Sequence, residues 1–494
     1  MRYLIGVDIG TSSTKSVLME ETGSVMAVAQ EEYKIYAPRP GWAEQDPEVW
    51  WGATVRTIYE LMRGAGIAVE RIVGVGFSGQ MHGTVLLDRH RRVLRPAIIW
   101  ADQRSAKQVQ WVYDHVGRAR LAALTANPMA AGFMAPTLLW LKEHEPEVFD
   151  RVDRVLLPKD YVRWRLTGEL GSDVSDAASS LLFDVVRRRW SAELLDRIEL
   201  PKDVLPQVLD SKAIAGQVVE WASEETGLKA GTPVVAGGGD QPVAAFGNGV
   251  IEPGRLLLTI GTGGQVFTPL SEPRYDPRLR THTFCHVVPD RWFIMGAMLS
   301  AGLSLRWFRD QVVKSSYEEL SQQAEGAPPG SEGLIFLPYL VGERTPHMDP
   351  YARGAFVGLT LRHGVARMAR AVMEGVAFAL RDALEIFREL GIEVHRVVAS
   401  GGGVRSPVWR QILADVFNVP LVTATTEEQA AVGAALLAGV GVGVYQGYAE
   451  ACKVVRYGEE TFPIPRNVDR YARLYEVFRR LYPKLKEDFQ AMRT

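Results

Sequence analysis

The chain has 494 residues, a length at which two to four domains are expected. Hydrophobic residues make up 47% and charged residues 23%, the balance of an ordinary globular protein with a large core. The formal net charge is −2, so we expect no nucleic-acid partner. The 2 cysteines form no CxxC pair, which excludes a disulfide framework and fits a reducing compartment.

Two apolar segments bear on membranes and export. The N-terminal run 3–7 is interrupted by Asp8, too early for a signal peptide. The uncharged stretch 429–449 is near the length of a membrane span but is rich in Gly and Ala. We interpret it as a closely packed internal helix followed by a turn. The sequence therefore predicts a cytoplasmic protein without a membrane partner.

Short apolar strands alternate with amphipathic helices along the chain, which predicts an α/β fold. Asp46-Pro47 is an N-cap with Pro at the first helical position and predicts a helix over 48–62. Ser406-Pro407 repeats this signal before a helix over 408–417. Strands are predicted at 3–7, 72–77, 154–157, 234–236, 256–260 and 397–399.

An internal similarity divides the chain at the Gly-rich stretch 247–254, into domains 1–247 and 248–494. Each half opens with a strand, a Gly-Thr turn (10–11 and 261–262) and a second strand, and a later strand in each half ends in a glycine loop. Two similar halves facing a central cleft would place four such loops around one site. A single Gly-Thr turn, however, is also ordinary hairpin chemistry.

Residues 8–15, Asp-Ile-Gly-Thr-Ser-Ser-Thr-Lys, have the chemistry of a phosphate site. Gly10 allows close backbone approach, and Thr11 adds a hydroxyl. Asp8 supplies a carboxylate for Mg²⁺, which prefers oxygen ligands. Lys15 either adds charge to the phosphates or lies on an exposed strand. There is no GxxxxGK[ST] sequence, so the site is not a P-loop.

Three further loops carry candidate functional residues. Asp240 follows three glycines and precedes an apolar helical run, where the helix N-terminus would keep its carboxylate ionised; the alternative is a plain N-cap. Gly402 and Gly403 lie between a strand and a helix and suit close approach to a nucleotide. His82 follows a buried strand and could bind a sugar hydroxyl, although such a histidine is often structural.

These motifs resemble those of the FGGY family of carbohydrate kinases, within the actin, hexokinase and heat-shock chaperone superfamily. The resemblance extends from Asp8 to about Leu437 and includes segments 42–47, 100–104 and 157–161. Within the family, the chain is most similar to the members that phosphorylate xylulose. That finer resemblance depends on segments 79–83, 172–177 and 342–347.

The resemblance implies two ribonuclease H-like domains facing a central cleft. The N-terminal domain would hold the sugar side and the first phosphate loop, and the C-terminal domain the nucleotide side. The implied activity is ATP-dependent phosphorylation of a small sugar, D-xylulose to D-xylulose 5-phosphate, with ATP and Mg²⁺. Gluconate, ribulose or glycerol as the sugar, and a non-catalytic ATP-regulated binding protein, are the alternatives. A homodimer is left open.

The resemblance also assigns roles to individual residues. Asp240 matches the catalytic base, and Asp8 the carboxylate near Mg²⁺ and the γ-phosphate. The positions that match the phosphate and adenosine loops are Gly10, Thr11, Lys15, Gly261, Thr262, Gly402 and Gly403. Gly263 stands where many relatives have Ser, which puts one side-chain phosphate contact in question.

The sugar side is implied by five matched residues. Met81 and His82 match the sugar-contacting pair of xylulose-phosphorylating members, where glycerol kinases have Arg-Glu. Gln241 stands where an Asn that touches the sugar is frequent. Trp100 and Arg104 line the cleft, and the Trp-x-Asp-x-Arg pattern suggests that Arg104 has an internal partner, Asp102.

Overall fold

A computed structural model describes residues 1–492 of the chain. Two mixed β-sheets form its framework. The first sheet contains β1 Tyr3–Ile9, β2 Ser13–Glu20, β3 Val25–Glu32, β4 Ile72–Gly79, β5 Ile214–Gln217, β6 Pro233–Val235 and β7 Gly238–Gly239. The second contains β8 Gly254–Ile260, β9 Gly264–Leu270, β10 His282–Cys285, β11 Trp292–Met298, β12 Val394–Ser400 and β13 Leu421–Thr423.

The two sheets repeat one topology. The strand order is β5-β6-β4-β1-β2-β3 in the first sheet, with β7 also paired to β4, and β10-β11-β9-β8-β12-β13 in the second. The opening strands β1–β2 and β8–β9 are antiparallel hairpins, and each opening strand pairs in parallel with a later strand, β4 or β12. The predicted α/β fold with two similar halves is therefore confirmed.

Helices cover the sheets and connect their strands. In the first half they are α1 Pro47–Ala65, α2 Ala106–Val116, α3 Arg118–Thr125, α4 Met134–His144, α5 Pro146–Phe149, α6 Pro158–Thr167, α7 Val174–Ser179, α8 Ala192–Arg197, α9 Glu220–Thr226 and α10 Asp240–Gly247. In the second half they are α11 Gly302–Trp307, α12 Tyr317–Gly326, α13 Val365–Glu389, α14 Pro407–Phe417, α15 Gln429–Gly441, α16 Tyr448–Ala451 and α17 Pro465–Ala491.

Shorter elements complete the chain. A π-helix covers Phe308–Val313, and 3-10 turns cover Val69–Arg71, Ser331–Gly333, Gly402–Arg405 and Cys452–Val454. Two-stranded ribbons pair Glu44–Gln45 with Ala97–Ile98, Val85–Leu87 with Arg154–Leu156, Ser172–Asp173 with Val208–Leu209, Phe183–Asp184 with Arg189–Trp190, and Ile335–Leu337 with Ala355–Val357.

Both predicted helix caps are present. The Asp46 side chain accepts a hydrogen bond from the Glu48 backbone N–H at 3.0 Å, and Pro47 is the first residue of α1. The Ser406 side chain caps α14 by accepting from the Trp409 backbone N–H at 3.4 Å. Each cap satisfies a backbone donor that has no partner within its helix. The sequence signals therefore identify where these helices begin.

Helices α10 and α15 cross with their backbones in contact. A Cβ atom added at Gly247 would lie 2.1 Å from the Gln429 carbonyl oxygen, and one at Gly433 would lie 2.1 Å from that of Val243. Only glycine permits this approach. The internal helix predicted within 429–449 is confirmed, because most of α15 is buried. No helix within residues 1–492 combines the length and apolarity needed to cross a membrane.

Candidate active site

Three strand ends of the first sheet bring the predicted catalytic carboxylates together. Asp8 on β1 is opposite Ser78 on β4, and Gly238 on β7 pairs with the same Ser78 from the other side. Asp240 begins α10 directly after β7. The charge of Asp8 acts on Asp240, so the two carboxylates share one site. Strand pairing thus brings together Asp8 and Asp240, which are more than 200 residues apart in the sequence.

Asp8 is held with one carboxylate oxygen unengaged by protein. Its Oδ1 accepts a hydrogen bond from Ser78 Oγ at 2.7 Å, and Oδ2 accepts none within residues 1–492. Burial raises the pKa of Asp8, while the Ser78 hydrogen bond and the charge of Lys15 act in the opposite direction. A bound cation would restore the ionised form, so the free oxygen suits a metal ligand.

The carboxyl group of Asp240 has a pKa close to neutral pH. Burial and then the charge of Asp8 raise its pKa to about 7, against hydrogen bonds from the backbone and side chain of Gln241. We expected the helix N-terminus to keep this carboxylate ionised, and burial acts in the opposite direction. Met81 packs against the preceding residue: a Cβ atom at Gly239 would lie 2.7 Å from Met81 Cγ.

The first Gly-Thr turn is fixed by side chains from elsewhere in the first half. The Gly10 N–H donates to the Ser13 carbonyl at 3.0 Å. Trp100 Nε1 donates to Thr11 Oγ1 at 2.9 Å, so Trp100 supports the turn. Lys15 Nζ forms an ion pair of 2.7 Å with Glu428 at the start of α15, and Lys15 is also the strand partner of Asp8.

The second Gly-Thr turn opens into a cavity of about 710 Å³ in the C-terminal half. The turn is braced by the Gly302 N–H, which donates to the Gly261 carbonyl at 2.9 Å. A cavity of this volume is within the range that holds a nucleotide-sized ligand. Its lining includes Gly261, Thr262, Gly302, Arg306, Gln322, Gly402, Gly403 and Arg405. The predicted nucleotide-side residues therefore line one cavity.

Close packing explains the glycine loop after β12. Gly401 has φ +87°, and a Cβ atom there would lie 2.5 Å from the Ile260 carbonyl oxygen. At Gly403 a Cβ atom would lie 2.3 Å from Ile260 Cγ2. Gly402 differs, because a Cβ atom there meets nothing within 4 Å and would project into open space. The loop thus presents its backbone to the cavity at Gly402.

His82 is oriented as a hydrogen-bond acceptor. Its Nδ1 lies 2.8 Å from the Ser179 carbonyl, which can only accept, so Nδ1 carries the proton. The ring stacks on Phe133 at 3.5 Å between centroids. Burial lowers the pKa of His82 well below its ordinary value, so the ring is neutral and Nε2 is an acceptor. Within residues 1–492, Nε2 has no protein partner.

Arg104 has the internal partner that its sequence pattern predicts. Its guanidinium forms ion pairs with Asp102 at 2.8 Å and with Glu44 at 2.7 Å, and the side chain is only 1% exposed. It also stacks over the Trp42 ring at 3.5 Å. These contacts make Arg104 a brace of the cleft wall. They give no support to its predicted role as a sugar ligand.

A buried cluster of charged side chains lies next to the site, and the sequence motifs did not predict it. Lys159 Nζ lies 2.5 Å from Asp160, 3.1 Å from Asp173 and 3.5 Å from Asp176, all fully buried. Helix α7, which Asp173 caps, supports both sides of the site: Ser175 Oγ accepts from the Gly239 N–H at 3.1 Å, and Ser179 holds His82. The cluster lies in segments 157–161 and 172–177, which the sequence analysis cited only for their resemblance to the family.

Arg344 is a second residue that the sequence analysis did not place. It comes from the C-terminal half, yet its guanidinium carbon lies 5.6 Å from the Trp100 ring centroid in the N-terminal half. It thus brings a cation to the sugar side of the cleft. The loop of Met81 and His82 itself carries no cation, as the sequence shows.

Comparisons with known proteins identify the family that the chain resembles. Residues 3–247 match the N-terminal domain model, and residues 256–442 the C-terminal domain model, of the FGGY family of carbohydrate kinases. A xylulose kinase of Bacillus subtilis is 38% identical over 100% of this chain and 99% of its own. A gluconokinase of the same organism is 29% identical over 99% and 97%.

A solved structure of a xylulose kinase from Rhodospirillum rubrum is 33% identical and superposes with a TM-score of 0.93, covering 99% of this chain and 100% of its own. The resemblance therefore extends to the complete two-sheet architecture. Both family models and a full-length relative above 30% identity agree on one assignment. This chain belongs to the FGGY family of carbohydrate kinases.

Proposed function

We propose that this kinase transfers the γ-phosphoryl group of ATP to the 5-hydroxyl of D-xylulose, with Asp240 as the base and Asp8 as the Mg²⁺ ligand. The observation that carries the proposal is the position of the two carboxylates. They lie at the ends of β1 and β7, where Asp8 precedes the first Gly-Thr turn and Met81 packs against Gly239, the residue before Asp240. The xylulose kinases among the relatives support this sugar.

Asp240 orients the sugar hydroxyl and accepts its proton. The transition state of phosphoryl transfer is loose, so positioning and charge stabilisation matter more than a strong base. A pKa of about 7 leaves a useful fraction of Asp240 ionised at neutral pH. Gln241 hydrogen-bonds to this carboxylate and fixes its orientation.

Asp8 fits Mg²⁺ through its free Oδ2 oxygen. Among residues 1–492 no cluster of three or more His, Cys, Asp or Glu side chains could hold a metal alone. Mg²⁺ is commonly held by one or two carboxylates together with phosphates and waters, so a single Asp8 is compatible with it. When bound, the ion would neutralise charge on the transferred phosphoryl group.

The sugar assignment is tested by comparing substrates in a coupled ADP-release assay. A panel of ketoses, polyols and aldonates is needed, because the gluconokinase relative makes gluconate the main rival. D-xylulose should have the highest kcat/KM, and ADP release should depend on added sugar. A higher kcat/KM for gluconate would reject the sugar but not the family. Sugar-independent ADP release would favour an ATP-regulated binding protein.

His82→Ala should raise KM for D-xylulose by roughly 5- to 150-fold and leave KM for ATP nearly unchanged. The physical reason is the loss of a hydrogen bond to a sugar hydroxyl at a buried neutral imidazole. The measurement is steady-state kinetics with each substrate varied. His395→Ala is the matched control, because His395 is exposed and lies away from the cleft. An unchanged KM for D-xylulose would contradict the role of His82.

Gly402→Val should raise KM for ATP by about 10-fold or more, with D-xylulose binding retained. A valine side chain would enter the cavity at the point where a Cβ atom now meets nothing within 4 Å. The protein should therefore fold normally while the nucleotide loses space. Gly64→Val, at another open glycine outside the cavity, is the control. Loss of sugar affinity alone would mean that the two sides of the cleft are misassigned.

A further inference from the structure

The guanidinium group of Arg344 faces the Trp100 ring and has one charged neighbour that acts on its pKa, Glu343. Within residues 1–492 its side chain makes no hydrogen bond and no ion pair. The side chain is half-buried, and burial lowers the pKa of Arg344. An arginine in protein surroundings normally satisfies its donors with carboxylates or carbonyls, as Arg104 does on the opposite side of the cleft. The free donors of Arg344 are therefore available to a ligand.

The neighbours of Arg344 belong to the sugar side. Its guanidinium carbon is 5.6 Å from the Trp100 ring centroid. Burial, and then the charge of Arg344, lowers the pKa of His282, and the same charge contributes at His82. The charge that acts on Asp240 is instead that of Asp8. The charge of Arg344 thus acts on two histidines of the sugar side, His82 and His282.

The backbone around Arg344 is fixed to the second sheet. Glu343 and Asp349 exchange hydrogen bonds of 2.8 and 2.9 Å, which closes the loop on itself. The Thr345 N–H donates to the Ala297 carbonyl on β11 at 3.0 Å. The backbone that carries Arg344 is therefore fixed to the C-terminal half, while the guanidinium lies near Trp100 of the N-terminal half. Such preorganised donors are what a small polar substrate requires.

We propose that Arg344 binds the C1 hydroxyl and the C2 carbonyl of an open-chain ketose, at the end remote from Asp240. The inference rests on the proposed function. The substrate must be open-chain, because closing the xylulose ring through O5 would consume the hydroxyl that is phosphorylated. The two neighbouring oxygens match the fork of a guanidinium. An aldonate would place its carboxylate at the same position.

The test is Arg344→Gln, with Arg344→Lys and an exposed control, Arg362→Gln. With D-xylulose, Arg344→Gln should raise KM by about 10- to 100-fold and leave KM for ATP within about threefold. Arg344→Lys, which keeps the positive charge but loses the planar fork of donors, should give a KM between those of the wild type and Arg344→Gln. The decisive measurement is the preference for D-xylulose over 1-deoxy-D-xylulose, which lacks O1. That ratio of kcat/KM should fall towards one in Arg344→Gln, and thermal melting should be unchanged.

Other outcomes overturn the inference. A purely structural role would lower kcat/KM for both sugars equally and leave the ratio unchanged. If the wild-type enzyme prefers gluconate, the proposed sugar is wrong. The inference then requires that Arg344→Gln lowers kcat/KM for gluconate at least as much as it lowers kcat/KM for D-xylulose. A variant with wild-type KM for whichever sugar the wild-type enzyme prefers would show that Arg344 does not contact the substrate.

Discussion

Replacing Asp240 by asparagine should lower kcat/KM by about 10²–10⁴-fold without unfolding the protein. The amide keeps the shape of the side chain but cannot accept the proton of the sugar hydroxyl. In the wild-type enzyme, kcat/KM should rise with pH through about 7, since the base works only when ionised. This rise of kcat/KM with pH should be absent from the residual activity of Asp240→Asn.

Stability gives an independent readout for the same variant. The pKa of Asp240 is higher in the folded state than in the unfolded chain, so between pH 4 and about 7 the folded state binds more protons. The contribution of Asp240 to the free energy of unfolding therefore falls as pH rises through this window. Asp240→Asn removes the cost of burying an ionised carboxylate. The melting temperature of the variant at pH 8 should therefore equal or exceed that of the wild type.

The control for Asp240→Asn is Asp46→Asn, which changes another helix-terminal aspartate but preserves its capping function. It should keep normal activity and its wild-type pH profile. Near-normal kcat in a folded Asp240→Asn enzyme would reject Asp240 as the base. A large drop in melting temperature would instead show that the residue has a structural role.

Asp8→Asn should lower kcat by about 10²–10³-fold and raise the Mg²⁺ concentration needed for half-maximal rate. The variant keeps an acceptor for Ser78 but loses the charge that a cation requires. Because the charge of Asp8 raises the pKa of Asp240, the acid limb of kcat/KM should also move to lower pH. Activity titrations with Mg²⁺ and a pH series measure these effects.

Asp469→Asn, at an exposed position of α17, is the control for Asp8→Asn and should change neither quantity. A folded Asp8→Asn enzyme that retains kcat within threefold at saturating Mg²⁺ would show that the carboxylate is dispensable. An unmoved acid limb would mean that Asp8 and Asp240 are not coupled as their positions indicate. The two readouts therefore test the metal role and the electrostatic role separately.

Local physical chemistry made much of the architecture predictable from the sequence. Asp46 and Ser406 marked helix starts because a cap depends on residues within one turn. The two Gly-Thr hairpins indicated two similar halves, because the backbone of a tight turn restricts its residues. Asp8 and Asp240 could be named as candidates because their loops carry recognisable glycines.

Tertiary structure decided how charged side chains are used, because ion pairs form between residues that are distant in sequence. The sequence left Lys15 equally suited to a phosphate contact and to an exposed strand, and its side chain forms an ion pair with Glu428, 413 residues away. The protonation of Asp240 depends on burial and on Asp8, and neither can be derived from a helix-start pattern. Arg344 reaches the sugar side from the opposite half of the chain. The sequence alone thus determined the elements and the candidate carboxylates, while packing across the cleft decided which charges remain free for a ligand.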